Sequence, residues 1–451
     1  MVQQKLFSFN IIEKDHQEVS PRGGLILFDG FLKSLKVDEI IRRNMPLPGS
    51  NRGYGAWRYI EPLILMQYGG GRKISDLKEL REDKVLQRAT GISCIPSDSA
   101  AGDWLLRTGE NGGIDALKKS QEEISKKLLK MDNKEAYTMY VDPTIIDLGY
   151  KSDAQMTYTG VKGDRPILVG LKEFPIFVHA DYRQGNAMGG IVKAVESAYE
   201  VVESAGKKVK HFSGDSECYV GDLFNFLRQK GATFTIVADQ DVAVQETIRA
   251  IPKDEWKPYI DRHGIKTDRE IAVSVHSMNK TEAFTLIVLR WKEKTKQLSL
   301  FKSDGYYYHA IATDLDIDPQ RVIDVHGEKA SEACTGVWKY NERVQMENFI
   351  KELKIGIGME HMPCGKFEAN AMYFGIGVIT YNLMVAQKYF VIKEGYENKT
   401  IQTLRWKLIQ VPARIIKTGR YIILKLETVA DKFNHYLAMI RRIESIAALI
   451  V

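Results

Sequence analysis

From Lys134 onward the chain is a succession of short β-branched and aromatic runs cut by Gly, Pro and Asp, and few folds accommodate their order. AYTMYVDPTII reads as a strand, and QMTYT, PILVG and PIFVHA follow with tight connections, suggesting a meander. Ala187 to Ala205 reads as a helix, KHFSGD as the end of a strand, Tyr219 to Gln229 as a second helix and ATFTIVAD as a further strand. The order β-β-β-α-β-α-β predicts an α/β fold. Residues 241 to 305 break the alternation, with AFTLIVLRW and QLSLF read as added β-structure. YYYHAIATDL then resumes a strand, and residues 336 to 355 are expected to form one helix.

The rest of the chain frames this core. With 451 residues and 44% apolar side chains, there is material for about three domains and a packed interior. Residues 30 to 130 read as short helices, divided by the stretch Pro46 to Gly55 and by Gly69-Gly70-Gly71. A helical DNA-binding lobe and a plain helical subdomain both fit. The triple glycine lacks the G-x-x-x-x-G-K-[ST] spacing of a phosphate loop and reads as a connection. Ser97 or Ser99 is expected to cap the helix carrying Trp104.

Charge is unevenly spread: residues 1 to 130 carry 21 basic and 17 acidic side chains, and residues 388 to 451 carry 12 and 5, around an acidic centre. The net +6 is too small to demonstrate a nucleic-acid partner by itself. Cys94, Cys218, Cys334 and Cys364 form no C-x-x-C pair, which argues against a disulfide framework or structural zinc and favours a reducing cytoplasm. His361 and Cys364 read as part of a loop. The start MVQQKLFSFN has no basic stretch leading into an apolar one, so no export signal is expected. Ala369 to Ala386 is apolar and uncharged, but Asn370, Thr380, Asn382, Gly375 and Gly377 within it point to a buried helix and not to a membrane span.

Two aspartates stand where chemistry could occur. Asp142 ends the first strand, in YVDPT, and Asp215 ends the fourth, in FSGDSECY. On neighbouring central strands the two carboxylates would meet, and a site that keeps both ionised usually holds a divalent metal. Either residue alone reads first as a turn or helix cap. In WKYNERVQMENFIKELK, the side chains of Tyr340, Arg343, Glu347 and Lys354 project within an arc of about 60° on an ideal helix. Met346, Phe349, Ile350, Leu353 and Ile357 form the adjoining apolar face. Taken without the two aspartates, this stripe reads first as a solvated face with intrahelical ion pairs.

The spacing Y-x2-R-x3-E-x6-K resembles the YREK signature of the DDE transposases of bacterial insertion sequences, and the aspartates and the 241 to 305 stretch occur in that family's order. Similarity extends through ISDLKELRED, DSECYVGDLFNFLRQKG and IKELKIGIGMEHMPCGKFEANAMYFGIGVITYNL, from about residue 55 to 420. Departures are Tyr140, Pro143, Glu217 and Val344. The resemblance implies an RNase H-like mixed sheet with helices on both faces, interrupted by a β-rich insertion, plus a helical N-terminal region and a basic C-terminal tail. Its expected divisions are 1–130 (helical), 131–240 (catalytic core, first part), 241–305 (insertion), 306–390 (second part, with the Glu helix) and 391–451 (basic).

The resemblance further implies that Asp142, Asp215 and Glu347 hold two Mg²⁺ ions, with Mn²⁺ as a substitute, for DNA strand cleavage and transfer. Arg343 and Lys354 would grip phosphates and Tyr340 would donate to one. The implied partner is double-stranded DNA, at the element ends and the target, bound by a homodimer in a bacterial cytoplasm with no membrane involved. A related metal nuclease without strand transfer, or an inactive DNA-binding descendant, is the alternative. Arg290, Lys292, Lys294 and Lys296 recur every second residue, as a track for a DNA backbone or as lysines that block edge pairing. Trp291 points the other way, as a core residue or a wedge for a displaced base. Arg405, Trp406, Lys407, Arg414 and Arg420 give the tail its basic character and are candidates for contacts with DNA or a second subunit.

Overall fold

The computed structural model describes residues 18–49, 53–149, 151, 153–292, 305–393, 395–418 and 421–450. The chain divides into two compact units: Met1–Arg42, Leu47–Trp104 and Gln387–Val451 form one, and Arg43–Pro46 with Leu105–Ala386 form the other.

The second, larger unit is organised by a nine-stranded mixed sheet. Its strands are β1 (Ala136–Pro143), β2 (Ile167–Leu171), β3 (Phe177–Asp181), β4 (Lys208–Gly214), β5 (Thr233–Val237), β6 (Lys257–Ile260), β7 (Lys266–His276), β8 (Phe284–Lys292) and β9 (Tyr306–Thr313). In space they run β3-β2-β1-β4-β5-β9-β8-β7-β6. The pairs β1–β4 and β4–β5 are parallel, and the others are antiparallel. Tyr137, Met139, Tyr140 and Val141 of β1 are fully buried, so both faces of this central strand are covered. That explains its continuous apolar run where a half-exposed strand would alternate.

Helix α1 (Ile114–Met131) packs on β3, α2 (Ile191–Ser204) on β2, β3 and β4, α3 (Gly221–Gln229) on β5, and α4 (Val242–Arg249) on β7. α5 (Ala333–Asn341) lies on β5, β7, β8 and β9, and α6 (Val344–Lys351) on β1. The mixed sheet flanked by helices is the architecture expected from sequence.

Two details differ from the sequence reading. QMTYT does not join the meander: Gln155–Met156 pairs in a small three-stranded sheet with Ile146–Asp147 and Lys162–Asp164. The 241 to 305 stretch opens with α4, and its strands β6 to β8 extend the main sheet through β9. QLSLF lies outside the described residues.

The apolar stretch from Ala369 lies in α7 (Phe367–Gln387). By length and composition this helix with its continuation to Ile392 could cross a membrane, yet 94% of its most apolar window is buried inside the fold. Its polar residues have work there. The Asn382 carbonyl accepts the backbone N–H of Phe177 at 2.8 Å, and its amide donates to Phe177 O at 2.7 Å and Ser125 Oγ at 3.1 Å. Gln121 Nε2 also donates to Phe177 O, at 2.6 Å. These bonds satisfy the outward backbone of edge strand β3, which would otherwise be buried without partners.

In the smaller unit, helices Gly24–Ser34, Trp57–Gly69, Leu77–Glu82, Lys84–Thr90 and Ala430–Ile450 accompany a hairpin of Ala413–Thr418 and Tyr421–Leu426. Gly70, at φ +109°, ends the helix from Trp57 as the sequence suggested. Arg405 is 6% exposed, and its guanidinium donates to Tyr68 O and Gln67 O at that helix's carbonyl end. It is therefore a buried helix-end partner and not a surface contact. Arg414 pairs with Glu427, Trp406 is exposed, and Arg420 lies outside the described residues. Ser97 accepts the Ala100 N–H at 3.1 Å, capping the helix Asp98–Thr108.

Replacing Asn382 by Leu removes the acceptor for the Phe177 N–H, and it should lower unfolding stability by about 3 kcal/mol. Chemical denaturation of the purified variant measures this. A loss below about 0.5 kcal/mol would show that the edge strand does not depend on the Asn382 clamp.

Candidate active site

The register of the central strands decides where the two aspartates lie. β1 and β4 run parallel with Tyr140 opposite Ser213, so Asp142 and Asp215, each two residues further on, leave the sheet side by side. Gly214 makes this exit compact. A Cβ there would stand 2.4 Å from Cys218 Sγ, too close for any side chain. Asp215 accepts the Glu217 N–H at 3.1 Å, opening the short turn Ser216–Cys218.

Between the carboxylates sits Arg343. Its Nη2 donates to Asp142 Oδ1 at 2.5 Å and lies 3.6 Å from Asp215 Oδ2, and its side chain is 13% exposed. Burial pushes the Asp142 carboxyl up to about 6; Arg343 pulls it down, and the charges of Asp215 and Glu347 add to the rise. Burial also raises Asp215, against the opposing pull of Arg343 and Arg165. The solvated-stripe alternative for Arg343 does not describe this geometry.

The expected single helix over 336 to 355 is interrupted. α5 ends at Asn341, and α6 begins at Val344. Across the junction, Arg343, Gln345 and Met346 N–H groups bond to carbonyls three residues back, at 2.9, 3.1 and 2.8 Å. Charge contacts converge on the junction: Glu342 pairs with the distant Lys172 at 2.7 Å and with Lys339 one turn back at 3.1 Å, while the next residue is held by Asp142. After α6 the chain widens into a π-turn, Glu352–Gly356, which contains Lys354.

Consequently the four stripe residues have different surroundings. Tyr340 packs against the cluster of Ile271, Ile287, Leu289 and Val337, with its ring centroid 5.8 Å from that of His309. Glu347 is exposed, and its charge reaches Asp142. Lys354 Nζ donates to Ile145 O at 2.8 Å, tying the segment after β1 to the π-turn, and burial lowers its pKa. Among the described residues, no group of three His, Cys, Asp or Glu side chains is gathered closely enough to hold a metal as it stands.

The basic track is also occupied. Arg290 and Lys292 share one sheet face, as alternation requires. Arg290 pairs with Glu270 at 2.7 Å and stacks on Trp256 and Tyr306, with its guanidinium carbon 3.9 and 4.6 Å from the ring centroids. The exposed Lys292 stands 5.8 Å from the Tyr306 centroid. Lys294 and Lys296 lie outside the described residues. Trp291, on the other face, packs on the core cluster and stacks on Tyr307 at 5.9 Å.

Sequence reading missed Arg165. It is 6% exposed, pairs with Glu217, and its charge acts on both Asp142 and Asp215. Nothing in the local pattern of GDRP marks it. Glu217, noted above only as a departure from a family pattern, is the closest clue.

An α/β sheet whose central parallel strands end in paired aspartates, with a glutamate helix beside them, is the framework of a DDE-type nucleic-acid enzyme. The chain belongs to the transposase DDE domain group 1 family, whose profile matches residues 11–447. Among solved structures it is similar to the piggyBac transposase in its synaptic complex with hairpin DNA, at 10% sequence identity and a TM-score of 0.47, over 85% of this chain and 79% of that one. No curated protein matches the chain.

The raised Asp142 pKa has a definite sign for stability. An unfolded carboxyl with an ordinary value of 3.8 binds fewer protons than the folded one, near 6, over the interval between them. Folding stability contributed by Asp142 therefore falls as pH rises through that interval, by at most about 3 kcal/mol. In chelator, Asp142→Asn should unfold at a higher temperature than wild type at pH 7.5, and the difference should vanish near pH 4. Equal midpoints at both pH values would show that Asp142 carries no ionisation strain.

Proposed function

We propose that the chain is a transposase of the bacterial insertion-sequence type, which cuts DNA at the element ends and joins the freed ends to target DNA. The observation that carries this reading is the Arg343 guanidinium held between Asp142 and Asp215, a cation standing between two desolvated carboxylates. Burial raises both aspartates despite Arg343, so a stronger positive charge there would be favoured. Asp142, Asp215 and Glu347 supply hard oxygen ligands that suit Mg²⁺ or Mn²⁺, two ions in the DDE arrangement. Bound there, the metal would act as a Lewis acid on the phosphodiester and favour an ionised attacking oxygen.

The remaining roles belong to the chain itself. Asp142 and Asp215, at the ends of adjacent strands, set the position of the scissile phosphate from a rigid sheet. Glu347, exposed on α6, closes the carboxylate set when substrate is in place. Arg343 turns from the aspartates to a phosphate oxygen, for which its planar fork is suited. Tyr340 offers a hydroxyl donor to the same strand, and Lys354 holds the segment following Asp142 through Ile145 O. In the first step water attacks phosphorus as the P–O3′ bond breaks, leaving a 3′ hydroxyl and a 5′ phosphate. In the second, that 3′ hydroxyl attacks a target phosphodiester and displaces its 3′ oxygen. The basic terminal segments favour DNA as partner, two subunits would bring two element ends together, and the work would take place on the nucleoid in the cytoplasm.

Asp142→Ala, Asp215→Ala and Glu347→Ala should each abolish Mg²⁺-dependent cleavage of DNA carrying the flanking ends of the gene while retaining most of the binding. Arg343→Ala should also lower the salt dependence of that binding by about one unit of slope. Gel cleavage assays and fluorescence anisotropy at several salt concentrations measure both. Full cleavage by the Asp142 or Asp215 variant would refute the assignment.

A further inference from the structure

The small sheet that carries Gln155–Met156 presents a feature that the cleavage chemistry does not use. Tyr158, on the turn between two of its strands, is 75% exposed, and the neighbouring Met156 is 54% exposed.

The turn is nevertheless firmly built. Thr157 N and Oγ1 both donate to Val161 O at 2.8 Å, Gly160 N donates to Thr157 O at 3.0 Å, and Gly160 takes φ +78°. Behind it, a Cβ at Gly163 would stand 2.1 Å from Ile146 O, so this strand lies directly against the segment that leaves Asp142. Lys354 anchors the same segment at Ile145 O.

One face of the Tyr158 ring is backed by a cation. The Arg165 guanidinium carbon is 4.8 Å from the ring centroid, and the same guanidinium pairs with Glu217, two residues after Asp215. The backbone of Arg165 is held as well, its N–H donating to Arg183 O at 2.7 Å. A continuous chain of contacts thus runs from the Asp142–Asp215 pair through Arg165 to an aromatic ring in solvent. The guanidinium beside the ring, shared with Glu217, adds positive charge next to it, and the ring itself offers a flat surface with few rotatable bonds against which a base can stack.

We propose that Tyr158 is a stacking platform for the nucleobase next to the phosphate held at Asp142 and Asp215. This rests on the reading of DNA as substrate. Stacking of this kind tolerates any base, so the contact would position the strand and not select its sequence.

The test uses the full-length protein with two short probes of equal length in Ca²⁺: oligothymidylate, and a chain of abasic deoxyribose phosphates. Tyr158→Ala should bind oligothymidylate about tenfold more weakly than wild type and bind the abasic chain equally well. Tyr158→Trp should restore oligothymidylate binding. Thermal unfolding midpoints should be unchanged, because the ring is exposed. Unaltered oligothymidylate binding by Tyr158→Ala overturns the proposal. So does an equal loss for both probes, which would give the ring a structural role in holding Arg165. Asp142-dependent cleavage of plasmid DNA by wild type, scored separately, tests the transposase reading. Cleavage with no effect of Tyr158 sinks the platform alone, whereas a wild-type protein that neither cleaves nor binds DNA sinks both.

Discussion

Two carboxylates leaving adjacent parallel strands repel one another, and burial makes each more costly to ionise. The Arg343 guanidinium between Asp142 and Asp215 answers both problems. Much of the local structure is arranged to put it there. α6 lies on β1, the junction ahead of it is tightened, and Glu342 is held by Lys172 and Lys339 so that the following residue faces the aspartates. Arg165 adds a second positive charge that acts on both aspartates.

The arrangement is also unfinished. Asp142 remains near 6 with the arginine in place, a sign that one guanidinium does not fully compensate the desolvated pair. A site with this imbalance favours a denser cation, and the exposed Glu347 stands near enough for its charge to reach Asp142. Asp142 and Asp215 stand at the ends of sheet strands, whereas Glu347 stands on α6.

The burial of α7 follows a similar logic. A helix apolar on all sides can be stable in water only if surrounded by protein, and its few polar groups must then meet partners. Asn382 does so by bonding both backbone groups of Phe177 on edge strand β3. The same residue that argued against a membrane span in the sequence thus closes an edge of the main sheet.

Short β-branched runs separated by helices were enough to infer the central sheet, because backbone pairing and apolar burial act over a few residues and leave a local pattern. Asp142 and Asp215 were legible for the same reason, since a strand's end is visible in its sequence. The placement of QMTYT in a separate sheet, the break between α5 and α6, and the burial of Arg405 were not legible. The last two depend on groups far away in sequence, Lys172 and Asp142 for the helix junction and Gln67 and Tyr68 for Arg405, while Gln155–Met156 turns back on the nearby Lys162–Gly163 and not on a strand of the main sheet. Arg290 could be placed on the correct face by alternation, yet its partners Glu270 and Trp256 come from other strands and turns. Periodicity says which way a side chain points. What meets it there, and with what charge, is decided only when distant segments are brought together.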